Sequence, residues 1–142
     1  MMASEKRFKL HTDGGSRGNP GPAAIGIVLE SDGKVIKEYK RYIGKATNNQ
    51  AEYEALIEGL KLAGIYWKGH LECFTDSELL VKQVNGEYDV KNKELKVAHA
   101  AVEKLAKQFP SITFTHVRRA DKFQSLADKL VNDALDEELG KK

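Results

Sequence analysis

Four carboxylates, Asp13, Glu52, Asp76 and Asp128, stand where metal-assisted oxygen chemistry could be done. Each also has an ordinary structural role open to it. Asp13 runs into Gly14-Gly15, and Asp-Gly is a favoured turn pair. Asp76 follows Thr75, which with Glu78 can form a capping box, making Asp76 a first-turn acid favoured by the helix dipole. Asp128 stands three residues after Ser125, where a capping box wants an acid. Glu52 is harder to explain in this way. On a helix its neighbours along one side are Ala55, Leu56, Gly59, Leu60 and Ala63. That face must pack on a sheet, where a carboxylate is costly without a cation or another partner.

The elements that would position these acids can be read from periodicity. Arg7 to Asp13 alternates, with Phe8, Leu10 and Thr12 on one face and Lys9, His11 and Asp13 on the other. Ala23 to Leu29 is small and apolar, as in a central strand. Val35 to Ile43 alternates again after the turn Ser31-Asp32-Gly33. A helix is expected from about Asn48 to Tyr66, opened by a capping box of Thr47 with Gln50. A strand over His70 to Thr75 follows, then helices over Ser77 to Val84 and Glu94 to Gln108. A fifth strand over Ser111 to Val117 and a final helix over Ser125 to Leu139 complete the chain. The order β-β-β-α-β-α-α-β-α predicts an α/β fold, a mixed sheet with helices on both faces. Ligands collect at strand ends in such sheets.

With the first and fourth strands adjacent, Asp13 and Asp76 would meet at neighbouring strand ends. Glu52 and Asp128 would sit on the inward edges of helix starts. Four carboxylates cannot share such a place as anions without cations between them. Oxygen-only ligands favour Mg²⁺ or Mn²⁺ over zinc. The Asn19-Pro20-Gly21-Pro22 stretch is turn chemistry, matching neither a Walker loop nor the glycine pattern of dinucleotide binders.

Composition narrows the classes. The chain has 142 residues, 41% hydrophobic and 31% charged, which suits one globular domain over 1–142 with a core at about 7–139. No run approaches the roughly 20 apolar residues of a membrane span, so a membrane is not an expected partner. Met1 to Lys6 lacks the apolar core of a signal peptide. The single Cys73 excludes an internal disulfide and a cysteine-rich zinc site, and the expected location is the cytoplasm. A net charge of +2 argues for no partner by itself. Its basic residues cluster, however, at Lys34, Lys37, Lys40, Arg41 and Lys45, at Lys91, Lys93 and Lys96, and at Arg118, Arg119 and Lys122. Such groups can contact phosphates, although most lysine runs are solvated faces.

Four segments carry a specific resemblance: TDGGSRGNPGPAAIG from Thr12, ATNNQAEYEALIEGL from Ala46, TDSELLVKQVNGEYDVKN from Thr75 and LADKLVNDALD from Leu126. Together they resemble the type 1 ribonucleases H, from about Phe8 to Asp136 and in the order Asp, Glu, Asp, Asp. Integrases and transposases of the same broad fold use Asp, Asp, Glu, and Glu52 in second place argues against them. The resemblance implies a five-stranded mixed sheet of the ribonuclease H type. It also implies endonucleolytic hydrolysis of the RNA strand of RNA–DNA hybrids, leaving 5′-phosphate and 3′-hydroxyl ends, by a monomer.

In that pattern Asp13 bridges two Mg²⁺ ions, with Mn²⁺ as a substitute. Glu52 and Asp76 complete the leaving-group side, and Asp128 the side of the attacking water. Gly14, Ser16, Asn19, Asn49, Gln50 and Ser77 fall at substrate-contact positions, and Glu52 itself is placed to touch the ribose 2′-hydroxyl. Thr47 and Asn48 match a pocket for a DNA-strand phosphate, with helix-start amides adding to the grip. Cleavage of duplex RNA stays open as a wider substrate class, since A-form shape is common to both duplexes. A silent binding module on the same fold would be expected to lack a carboxylate, and none is missing. The chain departs from the family in carrying no histidine in Arg118 to Leu126, Gln124 in place of a common asparagine, and Glu78 where glutamine is frequent. A basic insertion and a separate hybrid-binding domain are not expected.

Overall fold

A computed structural model describes residues 7–140; Met1 to Lys6, read as lacking the apolar core of a signal peptide, and the last two residues of the expected domain lie outside that range. The elements are β1 (Phe8–Ser16), β2 (Gly21–Ser31), β3 (Lys34–Ala46), α1 (Asn48–Tyr66), β4 (Leu71–Thr75), α2 (Glu78–Val84), α3 (Lys93–Ala106), β5 (Ile112–His116) and α4 (Lys122–Leu139). Their order is the expected one. The sheet runs β3-β2-β1-β4-β5, with β1 antiparallel to β2 and parallel to β4. The first and fourth strands are therefore neighbours.

Alternation in the strands explains the layers. Phe8, Leu10, Ile25, Ile27 and Leu29 face one side and pack with Tyr53, Leu56 and Leu60 of α1 and Val102 of α3. The opposite side is thinner. Ala24 and Val28 of β2 meet Ala127, Leu130, Val131 and Leu135 of α4. Burying both faces of β1 and β2 removes several large side chains from water, each worth about 1.5–3 kcal/mol. Gly26, paired with Asp13 across the β1–β2 ladder, lets α4 come close. A Cβ there would strike the Ala127 carbonyl and lie 3.0 Å from Leu130 Cβ. The missing side chain thus brings the helix bearing Asp128 down onto the strand beside Asp13.

The helix starts show where local pattern misleads. Thr47 and Gln50 form the expected capping box, the Thr47 hydroxyl accepting from Gln50 N at 3.1 Å and Gln50 Oε1 from Thr47 N at 2.8 Å. The other two boxes do not form. The cap of α2 is Ser77, accepting from Leu80 N, so Asp76 precedes the helix instead of lying in its first turn. The cap of α4 is Asp121, accepting from Phe123 N and Gln124 N; Ser125 is inside the helix and its hydroxyl donates to Arg119 O. Asp128 is consequently in the second turn of α4. Nor is Asp13 a turn residue: β1 continues through Gly14 and Gly15 to Ser16, paired with β2 throughout. No described helix is long and apolar enough to cross a membrane.

Candidate active site

Asp13 and Glu52 are buried, at 4% and 6% exposure. One carboxylate oxygen from each of Asp13, Glu52 and Asp76 lies within 4.8 Å of the others. The Asp76 side chain, 12% exposed, closes the group from the end of β4, where β1 and β4 separate. Asp128 stands at the rim, its side chain 30% exposed. With Ser16, Asn48 and Arg119 it lines the same cleft as Asp13 and Glu52.

Glu52 is fixed by an unusual approach of strand and helix. Its Oε1 accepts from the backbone N–H of Gly14 at 3.2 Å. Gly14 can come so near because it has no Cβ; one placed there would overlap the Ala51 carbonyl. The sequence puts glycine after Asp13 for contact with α1, not for a turn.

Electrostatics give this cluster its chemistry. Burial, followed by the charges of Glu52, Asp76 and Asp128, raises Asp13 far above the usual carboxylate range. Burial and the charge of Asp76 do the same for Glu52, opposed by the Gly14 amide and Arg119. Such a group binds protons readily or, better, divalent cations, which neutralise several carboxylates at once. The donor set is all oxygen, as hard cations require. The residues fit a divalent cation of the Mg²⁺ or Mn²⁺ class.

Arg119 was not singled out by the sequence reading except as one of a basic cluster. Its Nε donates to Asp76 Oδ2 at 3.0 Å and lies 3.9 Å from Asp128 Oδ1, although its side chain is 68% exposed. An exposed arginine in the loop before α4 thus spans two acids contributed by different elements. Adjacency to Arg118 and Lys122 was the available signal.

The expected substrate-contact residues divide between two places. Gly14, Ser16 and Asn48 line the acidic cleft, with Asn48 Oδ1 accepting from Ser16 N. Asn19, Thr47, Asn48, Asn49 and Gln50 line an adjoining groove. Asn92 and Glu94 of the α3 start complete that groove and were missed, because nothing local relates them to α1. Several polar groups there already have partners. Gln50 Nε2 donates to Glu94 at 2.7 Å, Asn48 N donates to Asn19 Oδ1 at 2.9 Å, and Gln50 N is held by Thr47. The helix-start amides of Asn48 and Gln50 are therefore committed within the protein. Ser77 belongs to neither lining; its hydroxyl caps α2.

A family model described as reverse transcriptase-like matches residues 11–134. The chain is 43% identical over 132 residues to ribonuclease HI of Halobacterium salinarum, covering 92% of this chain and 65% of that protein. It therefore spans slightly less than two thirds of that relative. The crystal structure of RNase H1 from the same archaeon superposes with a TM-score of 0.88, covering 92% of this chain and 98% of that one. A structure of LC11-RNase H1, solved in complex with RNA/DNA hybrid, gives a TM-score of 0.87 at 40% identity, covering 94% and 99%.

Proposed function

Because this chain belongs to the ribonuclease H family, we propose that it is a divalent-cation-dependent endoribonuclease acting on the RNA strand of RNA–DNA hybrids, leaving 5′-phosphate and 3′-hydroxyl ends. The observation that carries the reading is the convergence of Asp13, Glu52 and Asp76 within 4.8 Å, with Asp128 at the rim of the same cleft. Asp13, Glu52 and Asp76 would hold one cation, and Asp13 with Asp128 a second. Mg²⁺ is the proposed ion and Mn²⁺ its substitute. Two such cations, when bound, would lower the pKa of an attacking water and offset charge on both apical oxygens of an in-line displacement.

The chain's own residues supply position. The Gly14 N–H holds Glu52 in one orientation, and β1 and α4 fix Asp13 and Asp128 across the cleft. Burial of Asp13 and Glu52 keeps bulk water from screening their charge. Ser16, Asn48, Asn19 and Asn49 line the cleft and the adjoining groove with hydroxyl and amide groups, the kind needed to recognise a ribose 2′-hydroxyl, and Gln50 would join them by releasing Glu94. Thr47 and Asn48 line the groove and are the proposed contacts for a DNA-strand phosphate. Ser77 caps α2 as an acceptor and keeps its hydroxyl hydrogen to donate to substrate, and Gly14 lines the cleft. We place the enzyme in the cytoplasm as a monomer. Its thiol, Cys73, is buried and free, as in a reducing compartment.

The test is cleavage of end-labelled RNA–DNA hybrid, duplex RNA and duplex DNA, with Mg²⁺, Mn²⁺ or EDTA, by wild type and by Asp13→Asn. Cutting of the hybrid RNA strand that needs metal and Asp13 is the expected result. Cutting of duplex RNA as well would widen the substrate class, and tight binding with no cutting under either metal would overturn the enzymatic reading.

A further inference from the structure

Gln124 is an interior amide with 0% exposure, lying one helical turn before Asp128 on α4. A buried primary amide is costly unless both its ends are met. Its Nε2 donates to the carbonyl of Thr12 at 2.8 Å, the peptide immediately before Asp13. Its Oε1 lies 3.4 Å from His11 Nδ1, and the His11 ring is stacked on Phe74 of β4. The Gln124 backbone is fixed as well, since Gln124 N donates to the capping Asp121 at 3.1 Å.

The place of this bond in the sheet gives it meaning. Pairing of β1 with β4 ends at His11 and Phe74, one residue before Thr12. Beyond that point the strands part, which leaves room for Asp13 and Asp76 to face a common ligand. A strand carbonyl buried at such a parting needs a donor, and Gln124 provides it from the helix above. One side chain therefore joins the strand segment bearing Asp13 to the helix bearing Asp128, one turn before that residue.

We propose that Gln124 is a positioning residue that sets the spacing of Asp13 and Asp128, and through it the affinity of the cleft for divalent cations. The inference rests on the cation-binding reading of the acidic cluster. Gln124 touches neither substrate nor cation; it acts through two residues that do. Groups that orient metal ligands from behind typically change affinity by about 10–100-fold when removed.

The experiment titrates wild type, Gln124→Met and a core control, Val102→Ala, with Mn²⁺ by calorimetry, and melts each in EDTA. Met keeps the length of the side chain but donates nothing. Val102, in α3 on the other face of the sheet, is nearly fully buried, so its truncation reports general loosening. The expected result is weakening of Mn²⁺ binding by roughly tenfold or more in Gln124→Met and none in Val102→Ala. The Mg²⁺ concentration for half-maximal hybrid cleavage should rise with it, while kcat at saturating Mg²⁺ falls less. Should Gln124→Met fail to fold, Gln124→Leu, which likewise removes both the donor and the acceptor, carries the same expectation. Unchanged Mn²⁺ affinity in a folded Gln124 variant, or equal weakening in Val102→Ala, overturns the positioning role alone. A wild type that binds no divalent cation overturns the reading of the acidic cluster itself, and this role with it.

Discussion

Arg119 and Asp76 form an ion pair at 3.0 Å across two elements far apart in sequence, the loop before α4 and the end of β4. The guanidinium is a cation already placed on the acids of the cleft. A divalent ion entering between Asp13, Glu52 and Asp76 meets its repulsion, and Arg119 must release Asp76 as the ion binds. Removing the arginine should therefore help the ion. Two unit charges about 4 Å apart in a solvated setting interact by about 1 kcal/mol, and a side chain this exposed is worth no more than that. Arg119→Ala is expected to tighten Mg²⁺ binding to the substrate-free protein by roughly fivefold while lowering hybrid cleavage, because the freed guanidinium would face the substrate phosphate. Calorimetry and steady-state kinetics on the same variant separate the two effects; weaker Mg²⁺ binding would show that the arginine supports the site instead of opposing the ion.

Asp13→Asn should abolish cleavage and at the same time stabilise the metal-free protein. Burial and three neighbouring acids hold the Asp13 carboxyl above its usual range, and Glu52 is raised too. An acid whose pKa rises on folding contributes stability below its unfolded value, about pH 4, which is lost as pH climbs through the folded value. Wild type in EDTA should accordingly melt at progressively lower temperature from weakly acid into alkaline solution. Asp13→Asn should flatten that slope and gain about 1 kcal/mol or more at neutral pH. Mg²⁺ should remove the slope in wild type and have little effect on the variant. Melting curves in EDTA and in Mg²⁺ across this range decide the point, and parallel slopes for both proteins would mean the acids are not in one another's field.

His11 predicts the opposite limb. Burial lowers its pKa, against the pull of Asp121, Gln124 and Glu30. A base depressed by folding contributes stability that is present above its unfolded value, near pH 6.5, and is lost as pH falls below it. Each unit of separation between the two states is worth about 1.4 kcal/mol. The gain in stability that the raised acids give metal-free wild type on acidification should thus be blunted below neutrality, and His11→Gln should gain more over the same interval. Proton NMR of the ring supplies the direct check: a normal titration would remove the basis of this limb.

What could be read from the chain, and what could not, follows from the range of the forces involved. Period-2 alternation in β1, the unbroken apolar run of β2 and the apolar faces of α1 and α4 are set by burial against whatever lies opposite, so the pattern survives without knowledge of the partner. The adjacency of β1 and β4, and hence the meeting of Asp13 with Asp76, is allowed by the element order but not dictated by it, and entered the sequence reading as a condition that the sheet order then met. Helix caps were less secure. Asp121 and Ser125 both carry capping oxygens, as do Thr75 and Ser77, and local sequence offers no choice within either pair. Tertiary structure decides for α4, because Gln124 must be helical to reach Thr12 O. Loop residues were least legible. Arg119 finds Asp76, and Glu94 finds Gln50, only after the sheet has assembled. Gly14 looked like half of a turn because the constraint on it comes from α1, distant in sequence.

That constraint separates two adjacent glycines. A Cβ on Gly14 would overlap the Ala51 carbonyl and lie 2.7 Å from Glu52 N, against backbone that cannot swing aside. A Cβ on Gly15 would meet only Val131 Cγ1 at 3.6 Å and Asn48 Oδ1 at 3.7 Å, both ordinary contacts. Gly15→Ala should therefore fold with stability within about 0.5 kcal/mol of wild type. Gly14→Ala must push β1 from α1, at a cost of about 3 kcal/mol. The same displacement lengthens the Gly14 N–H to Glu52 bond and moves Asp13 away from Glu52, so cation affinity should fall in Gly14→Ala even where the protein remains folded. Urea denaturation and Mn²⁺ titration of the two variants measure both effects. Similar small losses at the two positions would mean that contact between β1 and α1 does not set the geometry of the acidic cluster, and Glu52 would then need another source of its orientation.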